Sequence, residues 1–251
     1  MITKFLIDYP AYTGKEKRNV YIYLPKGYEK SSKRYPVLYM FDGHNVFYDK
    51  DATYGRSWRL GKYLDKNKIE LVVVAVECHH GKNGEREIEY SPFANTRIKS
   101  RTIDCYGDET MKWFINKLKK KIDKEYLTLK DREHTYIMGS SMGGIMSTYA
   151  LLKYNKYFSK ACAFSPAYFL YPSKVYECIN EAEVKNDSVL YTDYGTNDLY
   201  AKPTIPVFTK ANTMMVRKGV NVTSRIVKDG EHREDSWEKQ LVFAINVLMY
   251  E

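Results

Sequence analysis

Cysteine is scarce in this chain, and the few cysteines lie far apart. There are four among 251 residues, and no two have the C-x-x-C spacing of metal-binding modules and redox motifs. Scattered thiols in a chain of this length are typical of reduced side chains in the core or in loops. The pattern therefore predicts reduced thiols and no metal site at Cys78, Cys105, Cys162 and Cys178.

Long apolar runs and a secretion signal are also missing. The apolar run in the N-terminal stretch MITKFLIDYPAY is too short for the core of a signal peptide, and Asp8 interrupts it. No run reaches the roughly 20 apolar residues that a membrane-spanning helix needs. We therefore expect a cytoplasmic protein without a membrane partner.

Linker-like segments and internal repeats are absent from the sequence as well. No stretch of linker length is rich in proline, glycine or serine, and the composition is that of an ordinary globular protein. The length of 251 residues suits one sizeable core. We predict a single domain over residues 1–251 and leave homo-oligomer formation open.

Positive charge is in excess, because the chain has 40 lysines and arginines but only 31 aspartates and glutamates. The densest basic run, NKLKKKIDK at 116–124, coincides with apolar residues at helical spacing, namely Met111, Phe114, Ile115, Leu118 and Ile122. The lysines then lie on the solvated face of an amphipathic helix. Since no zinc-finger or RNA-binding motif accompanies them, we expect no nucleic-acid partner.

What the chain does contain is an alternation of short β-rich runs with helical patterns. Strands are predicted at 18–25, 35–41, 69–77, 134–139, 160–165, 188–195 and 222–228. Helices are predicted at 57–67, 109–126, 143–154, 204–218 and 236–249, the last with Ser236 as its N-cap. The pattern predicts an α/β protein with a mostly parallel central sheet and helices on both faces. Active-site residues of such a fold lie at the carboxyl ends of the strands.

The segment YIMGSSMGG at 136–144 fits the pattern G-x-S-x-G, with Ser141 at the serine position. Between a strand and a helix, this pattern forms a sharp elbow that exposes a nucleophilic hydroxyl. Ser140 is the alternative nucleophile, but the register of the motif favours Ser141. A glycine-rich turn with a capping serine is the non-catalytic alternative, and the flanking strand and helix patterns favour the elbow.

A serine nucleophile needs a base, and His232 is the best candidate among five histidines. It follows the last predicted strand and comes after the serine, as in the Ser-Asp-His chain order of α/β-hydrolases. His79 and His80 also follow a strand but precede the serine. His134 begins a strand, at the wrong edge of the sheet.

The base in turn needs an orienting carboxylate, and the segment YTDYGTND offers two aspartates. Asp193 is predicted to lie within the strand, where its side chain points into a helix layer. Asp198 lies in the turn beyond the strand and can reach a loop histidine. We therefore assign the acid to Asp198, with a turn-forming aspartate as the alternative reading.

Two backbone donors for an oxyanion are expected. One is the N–H of Met142, the residue after the nucleophile. The other should come from the loop DGHNVF, where Gly43 permits an unusual turn. His44 is the preferred donor and Asn45 the next, and Asn45 is also a candidate substrate contact. An ordinary D-G turn is the alternative.

The segment SPAYFLYPSKVYEC at 165–178 follows a strand and is rich in aromatic residues. It could form a lid or a pocket wall that contacts sugar or phenolic groups, with Tyr168 as the candidate contact. The alternative, weighted equally, is a segment whose tyrosines pack on the core.

The motifs together resemble those of the "Putative esterase" (esterase D) family of α/β hydrolases. They run in order from Asp42 to Trp237: DGHNVF, GEREIEYSPF, GSSMGG, GTND and DGEH....W. The family includes feruloyl and acetyl-xylan esterases, S-formylglutathione hydrolases, siderophore esterases and mycolyl transferases. The resemblance supports Ser141, Asp198 and His232 as a triad.

The resemblance also implies that residues 86–93 line or support the site. Here we favour a pairing of Arg86 with Glu89 that holds a long loop in place. The S-formylglutathione hydrolases carry a His-Gly pair in the oxyanion loop, whereas this chain has Asp42-Gly43. That departure favours carbohydrate and siderophore esters as substrates.

The activity that these motifs predict is a serine carboxylesterase acting on acylated sugar or phenolic esters, with no metal or cofactor. A siderophore esterase and an acyltransferase of the same family are the alternatives. A non-catalytic binding protein on the same scaffold is disfavoured, because every member of the predicted triad is present.

Overall fold

A computed structural model describes residues 1–93, 96–98, 101–103 and 105–250, the two short segments by their backbone alone. The strands are β1 (Ile2–Ala11), β2 (Gly14–Tyr23), β3 (Val37–Met40), β4 (Val72–Val76), β5 (Thr96–Ile98), β6 (Arg101–Ile103), β7 (Thr135–Ser140), β8 (Lys160–Phe164), β9 (Val189–Gly195) and β10 (Asn221–Val227). The helices are α1 (Leu60–Asn67), α2 (Glu85–Glu89), α3 (Gly107–Trp113), α4 (Lys120–Glu125), α5 (Met142–Lys153), α6 (Pro172–Glu181), α7 (Ala201–Arg217), α8 (Glu234–Glu238) and α9 (Leu241–Tyr250).

The central sheet has eight strands in the order β1-β2-β4-β3-β7-β8-β9-β10. The six strands from β4 to β10 in that order run parallel, and the hairpin of β1 and β2 joins them with β2 antiparallel to both neighbours. The strands β5 and β6 form a separate antiparallel pair. Because the central strands are parallel, their carboxyl ends meet at one edge of the sheet.

Apolar side chains alternate between two buried clusters on opposite faces of the sheet. Along β3, Val37 and Tyr39 belong to one cluster, and Leu38 and Met40 belong to the other. The first cluster includes side chains of α3, α5, α6 and α7, and the second includes side chains of α1, α8 and α9. The predicted α/β class, with helices on both faces of a mostly parallel sheet, is confirmed.

Several local predictions differ from the structure. Strand β1 was not predicted, because its charged and apolar residues give no clean alternation. The predicted helix at 236–249 is two helices, and Ser236 lies inside α8, where its hydroxyl accepts the Glu231 N–H at 3.0 Å instead of capping a helix. The predicted helix at 109–126 contains a π-helical turn, Phe114–Lys119, between α3 and α4.

The lysines of that helix are not all solvated. Lys119 is buried, and its ammonium donates to the Asp123 carboxylate at 2.7 Å and to the Lys130 carbonyl at 2.9 Å. Among the residues that the structure describes, no helix is both long and apolar enough to cross a membrane.

Candidate active site

A cleft of about 620 Å³ opens at the carboxyl edge of the sheet. Ser141, His232 and the loop after β3 all contribute to its lining. They come from distant parts of the chain and meet because the strands that precede them end side by side. This is the edge at which the strand pattern predicted a site.

Ser141 occupies a sharp turn between β7 and α5. Its φ of 57° and ψ of −119° form a strained conformation for a residue with a side chain. Hydrogen bonds hold the turn: the Ser141 N–H donates to the Phe164 carbonyl at 2.9 Å, and the Ala167 N–H donates to the Ser141 carbonyl at 3.1 Å. A Cβ on Gly139 would lie 2.6 Å from the Gly143 backbone, so glycine is required for the strand to meet the helix this closely.

The imidazole of His232 is bonded to a buried carboxylate. Its Nδ1 lies 2.6 Å from Oδ1 of Asp198, whose side chain is fully buried. The same carboxylate accepts the Leu199 N–H at 2.6 Å and the Ser165 hydroxyl at 2.5 Å. Two donors other than the histidine therefore fix the carboxylate that orients His232, and the position of Asp198 in the turn beyond β9 is the one expected from the sequence.

Ser165, which the sequence analysis did not assign, links this carboxylate to Trp237. The Trp237 indole donates to the Ser165 hydroxyl at 2.9 Å, and the indole ring also contacts the imidazole of His232, with 5.0 Å between ring centroids. Ser165 directly follows β8 and has a positive φ of 42°. Its position immediately after a strand is the one signal in the sequence that could have drawn attention to it.

Asp193, the other candidate acid, is not at the cleft. It is buried within β9, where the Tyr191 hydroxyl donates to its carboxylate at 2.9 Å. Burial, with a smaller contribution from the nearby charge of Asp198, raises the pKa of Asp193 to about 7. The structure thus brings Asp198 to the histidine and leaves Asp193 in the sheet.

This buried carboxyl makes stability depend on pH. Folded Asp193 holds its proton up to about pH 7, whereas an unfolded aspartate loses it near its ordinary value of 3.8. Its contribution to the free energy of unfolding therefore declines as pH rises from about 4 to 7, by at most about 4 kcal/mol. We expect Asp193→Asn to be more stable than the parent protein above pH 7, by an amount that shrinks toward pH 4.

Denaturant unfolding of both proteins from pH 4 to pH 8 measures this difference. A gap between them that is the same at every pH would contradict the assignment of a protonated Asp193.

The loop after β3 forms a tight 3₁₀ turn, Gly43–Asn45. The left-handed residue is Asp42, with φ of 55°, so the expectation that Gly43 supplies the unusual backbone angle is wrong. Gly43 is needed for space, because a Cβ there would lie 2.5 Å from the Ala75 carbonyl oxygen. The Asn45 N–H already donates to the Asp42 carbonyl at 2.8 Å.

The two remaining candidate donors lie in the first turns of helical segments. Met142 is the first residue of α5, and His44 is the second residue of the 3₁₀ turn. The first N–H groups of a helix have no acceptor within it. The geometry therefore favours the backbone N–H groups of Met142 and His44, rather than that of Asn45, as the donors directed to an oxyanion.

A partly buried ion pair supports the loop after β3. The Arg86 guanidinium donates two hydrogen bonds, both at 2.7 Å, to the Asp42 carboxylate. Burial alone would raise the pKa of Asp42, but the Arg86 charge outweighs burial and the pKa lies below its ordinary value. The predicted Arg86–Glu89 pair is wrong, because Glu89 is buried against Arg18 at 2.9 Å. The interpretation that Arg86 holds a loop in place remains, with a different partner.

The two predicted substrate contacts have different surroundings. Asn45 lines the cleft, and its side-chain oxygen accepts the Thr53 N–H at 2.9 Å. Tyr168 is fully buried, and its hydroxyl lies 2.6 Å from the Thr148 hydroxyl. Tyr168 is therefore not positioned to contact a substrate. The segment at 165–178 packs on the core through its tyrosines and continues into α6, which was the alternative reading.

The rival histidines also have other partners. His79 Nε2 lies 3.1 Å from the Glu16 carboxylate, and His134 Nδ1 lies 2.6 Å from the Asp131 carboxylate at the amino end of β7. His79 and His80 line the cleft, but the pair with Asp198 is made by His232.

A sequence profile of the family described as "Putative esterase" matches residues 12–245. The chain belongs to this family. Membership confirms the resemblance predicted from the motifs, and it accounts for nearly the whole length of the chain.

The individual proteins that resemble this chain share little sequence with it. Protein YbbA of Bacillus subtilis (strain 168), itself uncharacterized, is 24% identical over 154 residues, which are 61% of this chain and 58% of that protein. A ferulic acid esterase structure is 19% identical, covers 99% of this chain and 98% of its own, and has a TM-score of 0.71. Siderophore hydrolase EstA from Aspergillus nidulans is 14% identical, covers 98% and 95%, and has a TM-score of 0.73. These similarities confirm the α/β-hydrolase fold of this esterase-family chain.

Proposed function

We propose that the protein is a serine carboxylesterase that hydrolyses acylated sugar or phenolic esters through Ser141, His232 and Asp198. The observation that carries this proposal is the meeting of a strained serine elbow and a buried Asp-His pair at one cleft. A strained backbone and a buried charge both cost free energy, and they persist only where the surrounding structure enforces them. Their occurrence together at one cleft therefore supports a catalytic role.

The first step is acylation of Ser141. His232 takes the hydroxyl proton at Nε2 as Ser141 Oγ attacks the ester carbonyl, and Asp198 keeps the Nδ1 proton in place and stabilises the imidazolium. The N–H groups of Met142 and His44 stabilise the oxyanion, and removing one such donor typically costs about 3 kcal/mol of transition-state stabilisation. The imidazolium then protonates the departing alcohol, which leaves an acyl-serine.

The second step is hydrolysis of the acyl-serine. His232 accepts a proton from water as the water oxygen attacks the acyl carbon, and it returns that proton to Ser141 when the acid leaves. The cleft residues of this chain supply every proton transfer. An alcohol in place of water would give acyl transfer by the same steps.

The rim of the cleft favours a ring-bearing substrate. Tyr54, Leu199 and Trp237 line the cleft, and Tyr54 and Leu199 are exposed. Aromatic and apolar side chains at the mouth of a polar cleft give sugar and phenolic rings a surface on which to stack. The similarity to siderophore hydrolase EstA supports siderophore esters as the second candidate class.

A panel of esters tests the proposed function. p-Nitrophenyl acetate and longer acyl chains report ester hydrolysis, and feruloylated, acetylated-sugar and catecholate siderophore esters report the preferred alcohol and acid. We expect the highest kcat/KM for a ring-bearing ester and incorporation of a fluorophosphonate probe at Ser141. Product analysis with an added sugar acceptor separates hydrolysis from acyl transfer. Lack of both turnover and labelling would refute the esterase proposal.

The cytoplasmic location, the single domain and the open question of homo-oligomer formation stay predictions from the sequence. The assay panel depends on none of them.

A further inference from the structure

Three potential metal ligands meet on the wall of the cleft that Ser141 and His232 also line. They are His44 from the oxyanion turn, Cys78 just after β4, and His80 two residues further along. One ligand atom from each lies within 4.8 Å of the others, and the rings of His44 and His80 are in edge contact with 4.7 Å between centroids. The proposed ester hydrolysis uses none of these three side chains.

His44 carries an unsatisfied nitrogen. Its side chain is almost fully buried, and Nδ1 has no hydrogen-bond partner among the residues that the structure describes. The other ring nitrogen, Nε2, lies 2.9 Å from the Thr53 hydroxyl, which fixes the ring. A buried polar atom without a partner costs free energy unless a ligand satisfies it. In the tautomer whose Nε2–H donates to the Thr53 hydroxyl, Nδ1 offers a lone pair to a metal ion.

The Cys78 side chain is buried, and its sulfur lies beside the Asp42 carboxylate. Metal binding would replace the thiol proton, which passes to solvent, so one proton is released for each ion bound. The Asp42 carboxylate would keep its two hydrogen bonds from Arg86.

We propose that His44, Cys78 and His80 form a binding site for a divalent transition-metal ion of the zinc type. Two imidazoles and one thiolate are the ligand set that zinc accepts, whereas magnesium and calcium prefer oxygen. Tetrahedral bonds of about 2.0 to 2.3 Å require ligand atoms about 3.3 to 3.8 Å apart. His80 is exposed, and its Nε2 lies 3.8 Å from the Glu77 carboxylate, so metal binding would exchange that contact for a bond to the ion and bring the ring closer to the other two ligands. With three protein ligands, a fourth position would remain for water.

This proposal departs from the sequence-based prediction of no metal site. That prediction rested on the absence of paired cysteines, and a single cysteine between two histidines has no recognisable spacing. The ligands come from the ends of β3 and β4, which are adjacent in the sheet but separated by about 30 residues of chain. The site does not depend on the proposed esterase activity.

Cobalt substitution tests the site without an activity assay. The protein is stripped with a chelator under reducing conditions and titrated with Co²⁺, whose thiolate charge-transfer band reports a Co–S bond. We expect a saturable band at one equivalent, displaced by Zn²⁺. Calorimetry with Zn²⁺ measures the affinity, which should rise with pH because the thiol must lose its proton.

Two pairs of variants distinguish the site from adventitious binding. Cys78→Ser should abolish the charge-transfer band, and His80→Ala, at an exposed position that the fold does not need, should weaken Zn²⁺ binding at least about tenfold. His79→Ala and Cys105→Ser are the matched controls and should bind as the parent does. No band in the parent protein, or a band that survives Cys78→Ser, would overturn the proposal, and either result would leave the esterase assignment untouched.

Discussion

Replacing Ser141 with alanine should lower kcat for p-nitrophenyl acetate by about 10⁴- to 10⁶-fold, because no other group can form the acyl intermediate. The fold should be unaffected, since alanine and serine meet the same backbone strain at a φ of 57° and the bonds that hold the turn are made by the backbone. Burst kinetics and fluorophosphonate labelling should disappear together with turnover. Circular dichroism and the denaturation midpoint should match those of the parent.

Ser140→Ala is the matched control. Ser140 is the neighbouring residue, ends β7 and also lines the cleft, so its replacement has the same size and nearly the same place. We expect it to retain most of the parent turnover. If Ser140→Ala were inactive and Ser141→Ala active, the register assigned to the motif would be refuted.

The second large effect is expected from Asp198→Asn. The neutral amide has nearly the shape of the carboxylate but cannot stabilise the imidazolium that forms when His232 takes the serine proton. Loss of the acid's charge in such a triad lowers kcat by about 10³- to 10⁴-fold. The variant should still react slowly with a fluorophosphonate, because the nucleophile and the oxyanion donors remain. Steady-state kinetics with p-nitrophenyl esters measures the loss.

Asp193→Asn, assayed at pH 8, where folded Asp193 has lost its proton, controls for the removal of a buried negative charge near the site. Asp193 lies five residues before Asp198 and is bonded to Tyr191 rather than to the histidine. It should retain most of the activity while changing the pH dependence of stability. Equal loss of activity in both variants would show that the effect of Asp198→Asn arises from general electrostatics rather than from orientation of His232.

The parts of the fold that the sequence predicts well are those with a strong local pattern. The continuous apolar strands β3, β4 and β7 and the helix α5 follow from burial on both faces of a parallel sheet. Strand β1 was missed because it lies at the sheet edge, where one side remains exposed and charged residues are tolerated.

The candidate site likewise contains some residues that the local sequence predicts and others that it does not. Ser141 and His232 stand in recognisable positions, a glycine-flanked turn and a loop after the last strand. Ser165 and the Arg86–Asp42 pair could not be predicted, because each depends on which strand ends lie side by side. The incorrect Arg86–Glu89 pair came from sequence proximity, whereas both side chains found partners more than 40 residues away.

The loop that carries Tyr54 is attached to the oxyanion turn through Thr53, which bonds to both His44 and Asn45. It reaches the cleft from outside the sheet, whereas the triad is built on strand ends. Insertions or exchanges in this loop can therefore diversify what the cleft admits while the reaction machinery is inherited unchanged. Related chains could therefore evolve new substrate preferences by changes in one peripheral segment, without substitutions in the core.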